Sequence, residues 1–504
     1  MTKRAPVPLS SLFDDAMPDA LANLRISGLC LDSRRVQAGD AFVALQGEKQ
    51  NGLAFIAQAR QAGAVVVIVD AQSQLPGEDI ELPVLAVAQL AQKLPALARS
   101  FYADPSARLH MLGVTGTNGK TSCAWFYAHW VAQLQQTCGM LGTLGYGVVT
   151  QAGAQLEATG FTTPDVFSLQ RVLAEFLHAD CERVAMEVSS HALAQARVAE
   201  ISFDTAIFTN LSRDHLDYHK DMHSYALAKR KLFATPGLQR AVVNLDDQAG
   251  RELLASLPES VTAISYSLSE PGADLYARDI ETDLQGISAT VVTPAGEGRL
   301  YCKFPGLFNL ANMLAVLAAL QAEGFALSAL LDCAGKLPYV PGRMQRVSLP
   351  GEDAVLAGFA VFIDYAHTPD ALENALIALK PQVSGLLRLV FGAGGDRDTG
   401  KRAVMGKVAA RLADQVVITS DNPRSEAPAR IAEQIRVGMP ADSNVVVELD
   451  RERAIKLAID SATKGDVVLV AGKGHERFQE QGGQKRPFDD YAVAQRALMA
   501  RSAA

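Results

Sequence analysis

Residues 113–122 read GVTGTNGKTS, and this segment constrains the fold more than any other part of the chain. An apolar run begins near Arg108 and leads into it, and a helical pattern follows from Thr121 to about Gln136. A strand, a glycine-rich turn and a helix start place backbone N–H groups and the Lys120 ammonium around phosphate oxygens. The hydroxyl of Thr121 can then hold a magnesium ion. The pattern predicts an α/β domain with a phosphate-binding loop at the carboxyl end of one strand.

The loop departs from the literal Walker pattern, which has glycine five positions before Gly119, where this chain has Val114. Gly113 and Gly116 stand on either side of that position. The departure indicates a variant loop, TGTNGKT, and weakens the match to a generic NTPase. The alternative interpretation is a plain strand-to-helix turn, which leaves the Lys-Thr pair at the helix start without an explanation.

Length and charge limit what the rest of the chain can be. At roughly 100 to 200 residues per domain, the 504 residues predict about three domains. A formal net charge of -8 argues against non-specific adhesion to nucleic acid or to anionic membranes. No stretch approaches the roughly 18 consecutive apolar residues that a membrane helix needs. We therefore expect a soluble monomer with no nucleic-acid partner and no insertion into membranes.

The amino-terminal segment lacks the apolar region of a secretion signal, because Asp14, Asp15, Pro18 and Asp19 interrupt it. The six cysteines form no CxxC pair and show no metal-ligand spacing. Both features indicate a cytoplasmic protein whose cysteines are buried thiols in a reducing compartment.

Short apolar runs alternate with helical or polar stretches along the whole chain, which is typical of α/β folds. We expect three α/β domains: a small amino-terminal domain over residues 1–105, a larger domain carrying the phosphate loop over 106–340, and a Rossmann-like domain over 341–504. The stretch LPYVPGRMQRV, with Pro338, Pro341 and Gly342, predicts a connector. Four apolar runs follow it, each ending in a polar or glycine-rich loop. They predict a doubly wound parallel sheet whose ligand groups lie at the carboxyl ends of its strands.

Beyond the loop, a series of motifs spans nearly the whole chain in a fixed order. They are LDSRRVQAGDAFVAL near the start, TGTNGKT, MEVSSHALAQAR (186–197), FTNLSRDHLDYH (208–219), YALAK (225–229), FNLANMLA (308–315), PGRMQ (341–345), DYAHTPDAL (364–372), GAGGDRDTGKR (392–402), DNPR (421–424) and GKGHE (472–476). On these motifs the chain resembles the Mur ligases, the ATP-dependent amino-acid-adding enzymes of peptidoglycan synthesis. The resemblance implies that the amino-terminal domain binds UDP, the central domain binds ATP and the carboxyl-terminal domain binds the added amino acid.

The resemblance also implies a reaction that suits these residues. Making an amide from a carboxylate requires a better leaving group, so ATP would phosphorylate the carboxylate and an amine would then displace phosphate. Phosphoryl transfer is mostly positioning and charge neutralisation. The residues expected to bind ATP are Gly116, Thr117, Asn118, Gly119, Lys120, Thr121, Ser122, Asn309, Asn312, Arg343 and Asp364. Asn309 and Asn312 are three positions apart on one helix face, so an alternative is that they only cap or bridge helices.

The resemblance assigns magnesium to Thr121, Glu187, His215 and Lys229, the last as a carbamate (N6-carboxylysine). Lys120, Glu187, His215 and Lys229 are the expected catalytic residues. Carbon dioxide would convert the repulsive Lys229 ammonium into an anionic ligand. By residue type alone, Lys229 is instead an exposed helical lysine and Glu187 a salt-bridge or capping carboxylate.

His215, His219 and His223 recur at intervals of four with aspartates between them, which on one helix resembles a transition-metal face. Only His215 is expected near the metal on the family pattern. A solvated polar helix is the simpler interpretation of the other positions.

The remaining expected contacts divide between two substrates. The UDP-muramoyl peptide would meet Leu31, Ser33, Glu48, Lys49, Gln50, Thr162, Thr163, Ser189, Gln195 and Arg197. For any one Ser or Thr, a helix cap or surface position is the alternative. The amino acid would meet Arg397, Asp421, Asn422, Pro423, Arg424, Gly472 and Glu476.

DNPR carries the prediction of which amino acid is added. Meso-diaminopimelate has a distal ammonium and a distal carboxylate, and Arg424 can bind that carboxylate through two N–H groups, with Glu476 available for an ammonium. Lysine lacks the carboxylate and would leave the arginine unpaired. Alone, DNPR is also compatible with an ordinary Asn-Pro turn.

We therefore expect an ATP-dependent ligase that adds meso-diaminopimelate to UDP-N-acetylmuramoyl-L-alanyl-D-glutamate with Mg²⁺ as cofactor. The alternatives are a lysine-adding member of the family and a nucleotide-binding switch that does not ligate. The complete set of GGDR, DNPR and GKGHE favours the ligase, because a switch does not require it.

Overall fold

A computed structural model describes residues 5–13, 17–47, 51–75, 80–349 and 358–502. Within these residues the chain forms three main sheets covered by helices, with two short two-stranded sheets beside them. The predicted α/β class is confirmed.

The first main sheet is parallel and has the order β3-β4-β5-β6. Its strands are runs of small and β-branched residues such as Val66–Asp70, buried because helices cover both faces. The elements of this region are β1 Val7–Pro8, α1 Asp19–Ala22, β2 Arg25–Ile26, β3 Gly28–Cys30, β4 Asp40–Ala44, α2 Ile56–Gln61, β5 Val66–Asp70, β6 Val84–Val87 and α3 Leu90–Tyr102.

The second main sheet has eleven strands in the order β10-β9-β8-β11-β7-β12-β13-β14-β15-β16-β17. Its strands are β7 His110–Thr115, β8 Cys138–Gly142, β9 Gly145–Thr150, β10 Gly153–Glu157, β11 Arg183–Glu187, β12 Thr205–Phe208, β13 Arg240–Asn244, β14 Thr262–Ser267, β15 Leu275–Asp283, β16 Gly286–Thr293 and β17 Gly296–Cys302. Its helices are α4 Lys120–Gln133, α5 Val166–His178, α6 Ser190–Ala194, α7 Leu216–His219, α8 Met222–Arg230, α9 Gln248–Leu254, α10 Leu307–Ala322 and α11 Leu327–Ala334.

In this sheet β7, which leads into the phosphate loop, lies between β11 and β12 and runs parallel to both. The loops after these three strands therefore meet at one edge. Helix α4 is buried for nearly its whole length, because it packs against the sheet and α10. Such a helix needs apolar residues all round, which explains why the segment after Lys120 lacks an amphipathic pattern.

The third main sheet has the order β18-β19-β23-β20-β21-β22, and all of its pairings except β18 with β19 are parallel. Its region comprises β18 Gln345–Arg346, β19 Ala360–Asp364, α12 Pro369–Leu379, β20 Leu387–Phe391, α13 Gly400–Leu412, β21 Gln415–Ile418, α14 Pro428–Arg436, β22 Val445–Val447, α15 Arg451–Ser461, β23 Val467–Ala471, β24 Phe478–Gln481, β25 Gln484–Pro487 and α16 Asp490–Ser502. The four apolar runs predicted as strands are β19, β20, β21 and β23. The strand order reverses around β23, which creates a crevice at the carboxyl ends.

Several details differ from the sequence-based expectations. The antiparallel strands β15 to β17 extend the central sheet, although alternating strands and helices predict parallel pairing. Part of the predicted connector forms the edge strand β18. The cysteines are free, and all are buried except Cys30, which is half-buried. Among the described residues, no helix is both long and apolar enough to cross a membrane.

Candidate active site

The phosphate loop lies between β7 and α4, where sharp backbone turns need glycine. Gly116 has φ +149, and a Cβ there would lie 1.9 Å from Thr209 Oγ1. The Lys120 ammonium folds back over the loop, donating to the carbonyls of Gly116 (2.8 Å) and Thr117 (2.7 Å). Burial lowers the pKa of Lys120, while the neighbouring Glu187 carboxylate opposes that shift. The loop therefore holds a cation beside the helix start, as phosphate binding requires.

Glu187 ends β11 and is fully buried beside the phosphate loop. Its Oε2 accepts hydrogen bonds from Thr121 Oγ1 (2.9 Å) and Thr143 Oγ1 (3.1 Å), and its Oε1 accepts one from Thr143 N (2.7 Å). Two of the predicted magnesium ligands, Thr121 and Glu187, are thus in contact. A hydroxyl and a carboxylate beside a phosphate loop are oxygen donors of the kind that Mg²⁺ binds.

His215 lies in a neighbouring cluster of rings. Its Nε2 is 3.5 Å from Asp214 Oδ2, and its ring centroid is 5.0 Å from that of His191. It also lies near Tyr225, at 6.1 Å between centroids, and the Tyr225 hydroxyl is 3.2 Å from Thr117 Oγ1. Within the described part of the chain, no group of three or more His, Cys, Asp or Glu side chains is arranged to hold a metal.

The expectation of one solvated helix through the three histidines is wrong. His215 precedes α7 with a left-handed backbone, His219 ends α7 and His223 belongs to α8. His219 is buried, and its Nε2 is 2.9 Å from Ser190 Oγ. The helical conformation ends at Lys220, between α7 and α8, where φ is +69.

Lys229 is buried, so the expectation from residue type alone is wrong. Its ammonium donates to the Gly116 carbonyl (2.7 Å) and lies 4.4 Å from the centre of the Tyr225 ring. Burial, and then the charge of Lys120, hold the pKa of Lys229 well below its usual range. This side chain points at the phosphate loop and is predisposed to lose its proton.

The residues expected to bind ATP through its adenosine lie around the loop. Asn312 is buried, and its Oδ1 would be 2.4 Å from a Cβ added at Gly119, so it touches the loop. Asn309 is also buried in the first turn of α10 and donates from Nδ2 to the Pro305 carbonyl (2.8 Å), which does not cap the helix. Asp364 ends β19, and its carboxylate accepts two backbone hydrogen bonds, from Met344 N and Ala366 N.

Arg343 spans the boundary between the second and third sheets. Its Nη2 is 3.5 Å from Thr121 Oγ1, and its guanidinium lies 4.1 Å from the centre of the Tyr365 ring. A second contact across the boundary joins Asn118 Nδ2 to Asp370 Oδ2 at 3.2 Å. The Arg343 guanidinium, in the segment that leads into β18 of the third sheet, therefore lies beside the phosphate loop. Tyr365 and Asp370 were missed by the sequence reasoning, although both lie in the DYAHTPDAL motif.

The residues expected to meet the muramoyl peptide converge behind Glu187. Thr163 Oγ1 donates to the Glu187 carbonyl (2.8 Å) and accepts from Ser189 N (3.1 Å). Arg197 donates to the Thr163 carbonyl (2.8 Å) and to Gln195 Oε1 (2.9 Å). Thr162 Oγ1 is 3.0 Å from Thr143 Oγ1, which links this group to the Glu187 carboxylate.

The positions expected to meet uridine lie after β3. Leu31 is half-buried, and Ser33 is buried with its hydroxyl donating to Gln58 Oε1 (2.8 Å). Glu48, Lys49 and Gln50 fall outside the described residues. Arg35 donates to the Thr159 carbonyl (3.4 Å), which connects this region to the second sheet near Thr162.

The loops after β20, β21 and β23 hold the residues expected to meet the amino acid. Arg424 donates from Nη1 to the Gly395 carbonyl (2.6 Å), and its Nε is 3.7 Å from Glu480 Oε2. Arg397 is exposed on the neighbouring loop. A Cβ added at Gly472 would lie 2.6 Å from Asp421 Oδ2, so the loops after β21 and β23 are in contact.

These features define an α/β protein with a phosphate-binding loop beside a second α/β unit, as in nucleotide-dependent enzymes. Three Mur ligase descriptions match the chain: the family's catalytic domain over residues 25–102, its middle domain over 114–320 and its glutamate ligase domain over 342–474. The chain belongs to the Mur ligase family, and the predicted membership is confirmed.

Curated relatives are similar over nearly their full length. A UDP-N-acetylmuramoyl-L-alanyl-D-glutamate--2,6-diaminopimelate ligase from Pseudomonas aeruginosa is 48% identical over 98% of this chain and 99% of its own. A protein of the same name from Coxiella burnetii is 42% identical over 97% and 99%. A solved structure under that name is 34% identical, covers 99% of both chains and has a TM-score of 0.69. The ADP complex of MurF from Thermotoga maritima, at 18% identity, coverage of 94% and 96% and a TM-score of 0.64, shares the fold.

Proposed function

We propose that this chain is an ATP-dependent ligase that joins meso-2,6-diaminopimelate to UDP-N-acetylmuramoyl-L-alanyl-D-glutamate in cytoplasmic peptidoglycan precursor synthesis. The observation that carries the proposal is 48% identity, over 98% of the chain, to a ligase named for that reaction. The geometry supports it, because Arg343 contacts Thr121 beside the phosphate loop and the Tyr365 ring in the loop after β19 of the third sheet.

The chemistry begins at the phosphate loop. ATP would transfer its terminal phosphoryl group to the substrate carboxylate, forming an acyl phosphate and ADP. Lys120 and Arg343 would stabilise the charge that develops on the transferring group, since both are cations beside Thr121 at the helix start. The amine of the incoming amino acid would then attack the acyl carbon, form the amide and release phosphate after losing a proton.

Thr121 and Glu187 fit a magnesium ion, which would shield charge on the phosphoryl oxygens when bound. His215 is the third proposed ligand. Lys229 would contribute as a carbamate: its neutral amine adds to carbon dioxide, an N–C bond forms and a proton leaves. The depressed pKa of Lys229 supports this step, because only the neutral amine reacts. The 2.7 Å contact of its Nζ with the Gly116 carbonyl supports the proposal, because the amine lies next to the phosphate loop.

The muramoyl dipeptide would lie along the group formed by Thr162, Thr163, Ser189, Gln195 and Arg197. Thr163 of that group donates to the Glu187 carbonyl, so a carboxylate bound along it would lie near the transferred phosphoryl group. The distal carboxylate of diaminopimelate would bind Arg424, with Arg397 nearby and Glu476 accepting from the distal ammonium.

The test is to incubate the protein with ATP, Mg²⁺ and the UDP-linked dipeptide, to offer diaminopimelate or lysine in turn, and to measure phosphate release. We expect release with diaminopimelate and much less with lysine. Equal or greater release with lysine would identify a lysine-adding enzyme. ATP binding without release with either amino acid would favour the nucleotide-binding switch.

A further inference from the structure

Lys473 follows β23 directly in the GKGHE motif, and its side chain is fully buried. A buried ammonium is costly unless fixed acceptors surround it. Its Nζ donates to Glu476 Oε2 (3.0 Å) and to Asn422 Oδ1 (3.1 Å), and it lies 5.6 Å from the centre of the Phe478 ring. Both acceptors belong to residues proposed to meet the amino acid.

Asn422 joins the same group through both ends of its amide. Its Nδ2 donates to Glu476 Oε2 (2.7 Å), and its Oδ1 accepts from Glu480 N (2.9 Å) as well as from Lys473. The amide oxygen and one of the two amide N–H groups are therefore bonded within the protein, and Lys473 is one of the two donors to that oxygen. Asn422 donates a hydrogen bond to Glu476, and Lys473 donates one to each of these two side chains.

The two oxygens of the Glu476 carboxylate differ as a result. Oε2 accepts from two donors, Lys473 and Asn422. Oε1 accepts from none among the described residues. A substrate ammonium would therefore meet one free oxygen whose direction is fixed by the bonds to the other.

We propose that Lys473 is a positioning residue for the amino-acid site, which orients Glu476 so that Oε1 binds the distal ammonium of diaminopimelate. The inference rests on the proposed function and concerns recognition of the ammonium, whereas Arg424 concerns the carboxylate. An ordered carboxylate favours an amino acid that carries the ammonium, because one that lacks it forgoes the charge-assisted hydrogen bond to Oε1.

The test compares diaminopimelate with 2-aminopimelate, which keeps the distal carboxylate and lacks the distal ammonium. For each, kcat/KM is measured by phosphate release with the full chain, ATP, Mg²⁺ and the UDP-linked dipeptide. We expect the parent to prefer diaminopimelate by about tenfold or more. Lys473→Met should reduce this preference at least about fivefold while KM for ATP stays within about twofold. Glu476→Gln should remove most of the preference, and adding Lys473→Met to it should change the preference little.

Lys456, exposed on α15, supplies the control, because Lys456→Met removes a lysine of the same region that takes no part in these contacts. An unchanged preference in a folded Lys473→Met protein would overturn the inference, as would equal losses with both amino acids. If that variant does not fold, Lys473→Arg replaces it: the larger planar guanidinium cannot reproduce both contacts in the enclosed space, so the preference should still fall. An unchanged preference there would equally overturn the inference. Failure of the proposed function would appear instead in the parent, as absence of release with diaminopimelate.

Discussion

Replacing Arg424 with alanine tests whether the DNPR loop selects the amino acid. The residue has a left-handed backbone, with φ +53, held by hydrogen bonds from its N–H to the Glu480 carbonyl (3.0 Å) and from Gly482 N to its own carbonyl (2.7 Å). Alanine meets the same backbone strain as arginine, and both hydrogen bonds are backbone bonds that remain. The substitution therefore removes the guanidinium, together with its bond to the Gly395 carbonyl, and leaves both backbone bonds of the turn.

The size of the effect follows from what the guanidinium would bind. Losing a charge-assisted bidentate pair in a closed site costs about 2 to 4 kcal/mol, roughly thirtyfold to a thousandfold in kcat/KM. The Arg424 side chain is 24% exposed, and Glu480 lies 3.7 Å from its Nε. Solvent and the neighbouring Glu480 carboxylate both weaken the attraction between Arg424 and a substrate carboxylate, so we expect a loss in the lower part of that range.

The assay measures phosphate release while diaminopimelate is varied at saturating ATP and UDP-linked dipeptide. The KM values for ATP and for the dipeptide should change little, and activity with lysine should not suffer the same loss. Arg430→Ala, on the exposed surface of α14, is the matched control. If Arg424→Ala used diaminopimelate as well as the parent does, Arg424 would be a structural turn residue. Selection would then rest on other groups such as Arg397 and Glu476.

Three further predictions concern other parts of the site and its support. Lys120→Ala should abolish phosphate release while the circular dichroism spectrum stays that of the parent, because the ammonium is needed as charge develops on the transferring phosphoryl group. Undiminished turnover in a folded variant would contradict the phosphate-loop assignment. Lys229→Ala should lose activity that bicarbonate or a short carboxylate such as formate partly restores, because the missing group is an anion; full activity without additives would remove the carbamate from the mechanism. The Arg402 guanidinium lowers the pKa of Glu426 to about 2, below its unfolded value near 4.5. This pair therefore stabilises the fold above about pH 4.5, and the contribution is lost as the pH falls towards 2. Glu426→Gln should therefore be less stable to urea than the parent at pH 6, with a difference that shrinks at pH 3; a difference independent of pH would contradict the ion pair.

The phosphate loop could be predicted from sequence because its information is local. A strand, a tight glycine turn and the Lys120-Thr121 pair follow one another within a few positions, and only one arrangement of such a segment satisfies the backbone. Four of the six strands of the third sheet, β19, β20, β21 and β23, were equally predictable, since buried parallel strands are continuous apolar runs. The antiparallel part of the second sheet was not, because no short-range pattern distinguishes it from a further parallel unit.

Lys229 shows where such reasoning fails. Its neighbours Arg230 and Lys231 make the segment resemble an exposed helical face, and burial of a lysine is rare. Its position depends on α8 packing near the Gly116 carbonyl, a contact between residues 113 positions apart. The family resemblance singled out the residue, but the burial that lowers its pKa is a tertiary effect.

The proposed amino-acid site contains features that a local sequence pattern predicts and features that depend on tertiary contacts. Since β20 and β21 are adjacent and parallel, the loops that carry Arg397 and Arg424 must meet at one edge of the sheet, and this follows from the strand pattern once the order is known. Arg402 adds to this contact, because it is fully buried and binds both carboxylate oxygens of Glu426 at 2.8 Å while donating to the Gly394 carbonyl (3.0 Å). It joins the loop before Arg397 to the loop after Arg424, in addition to the bond from Arg424 to the Gly395 carbonyl. Direct ligands can be read from motifs because chemistry restricts their residue types, whereas the residues that aim them are restricted only by the shape of the folded chain.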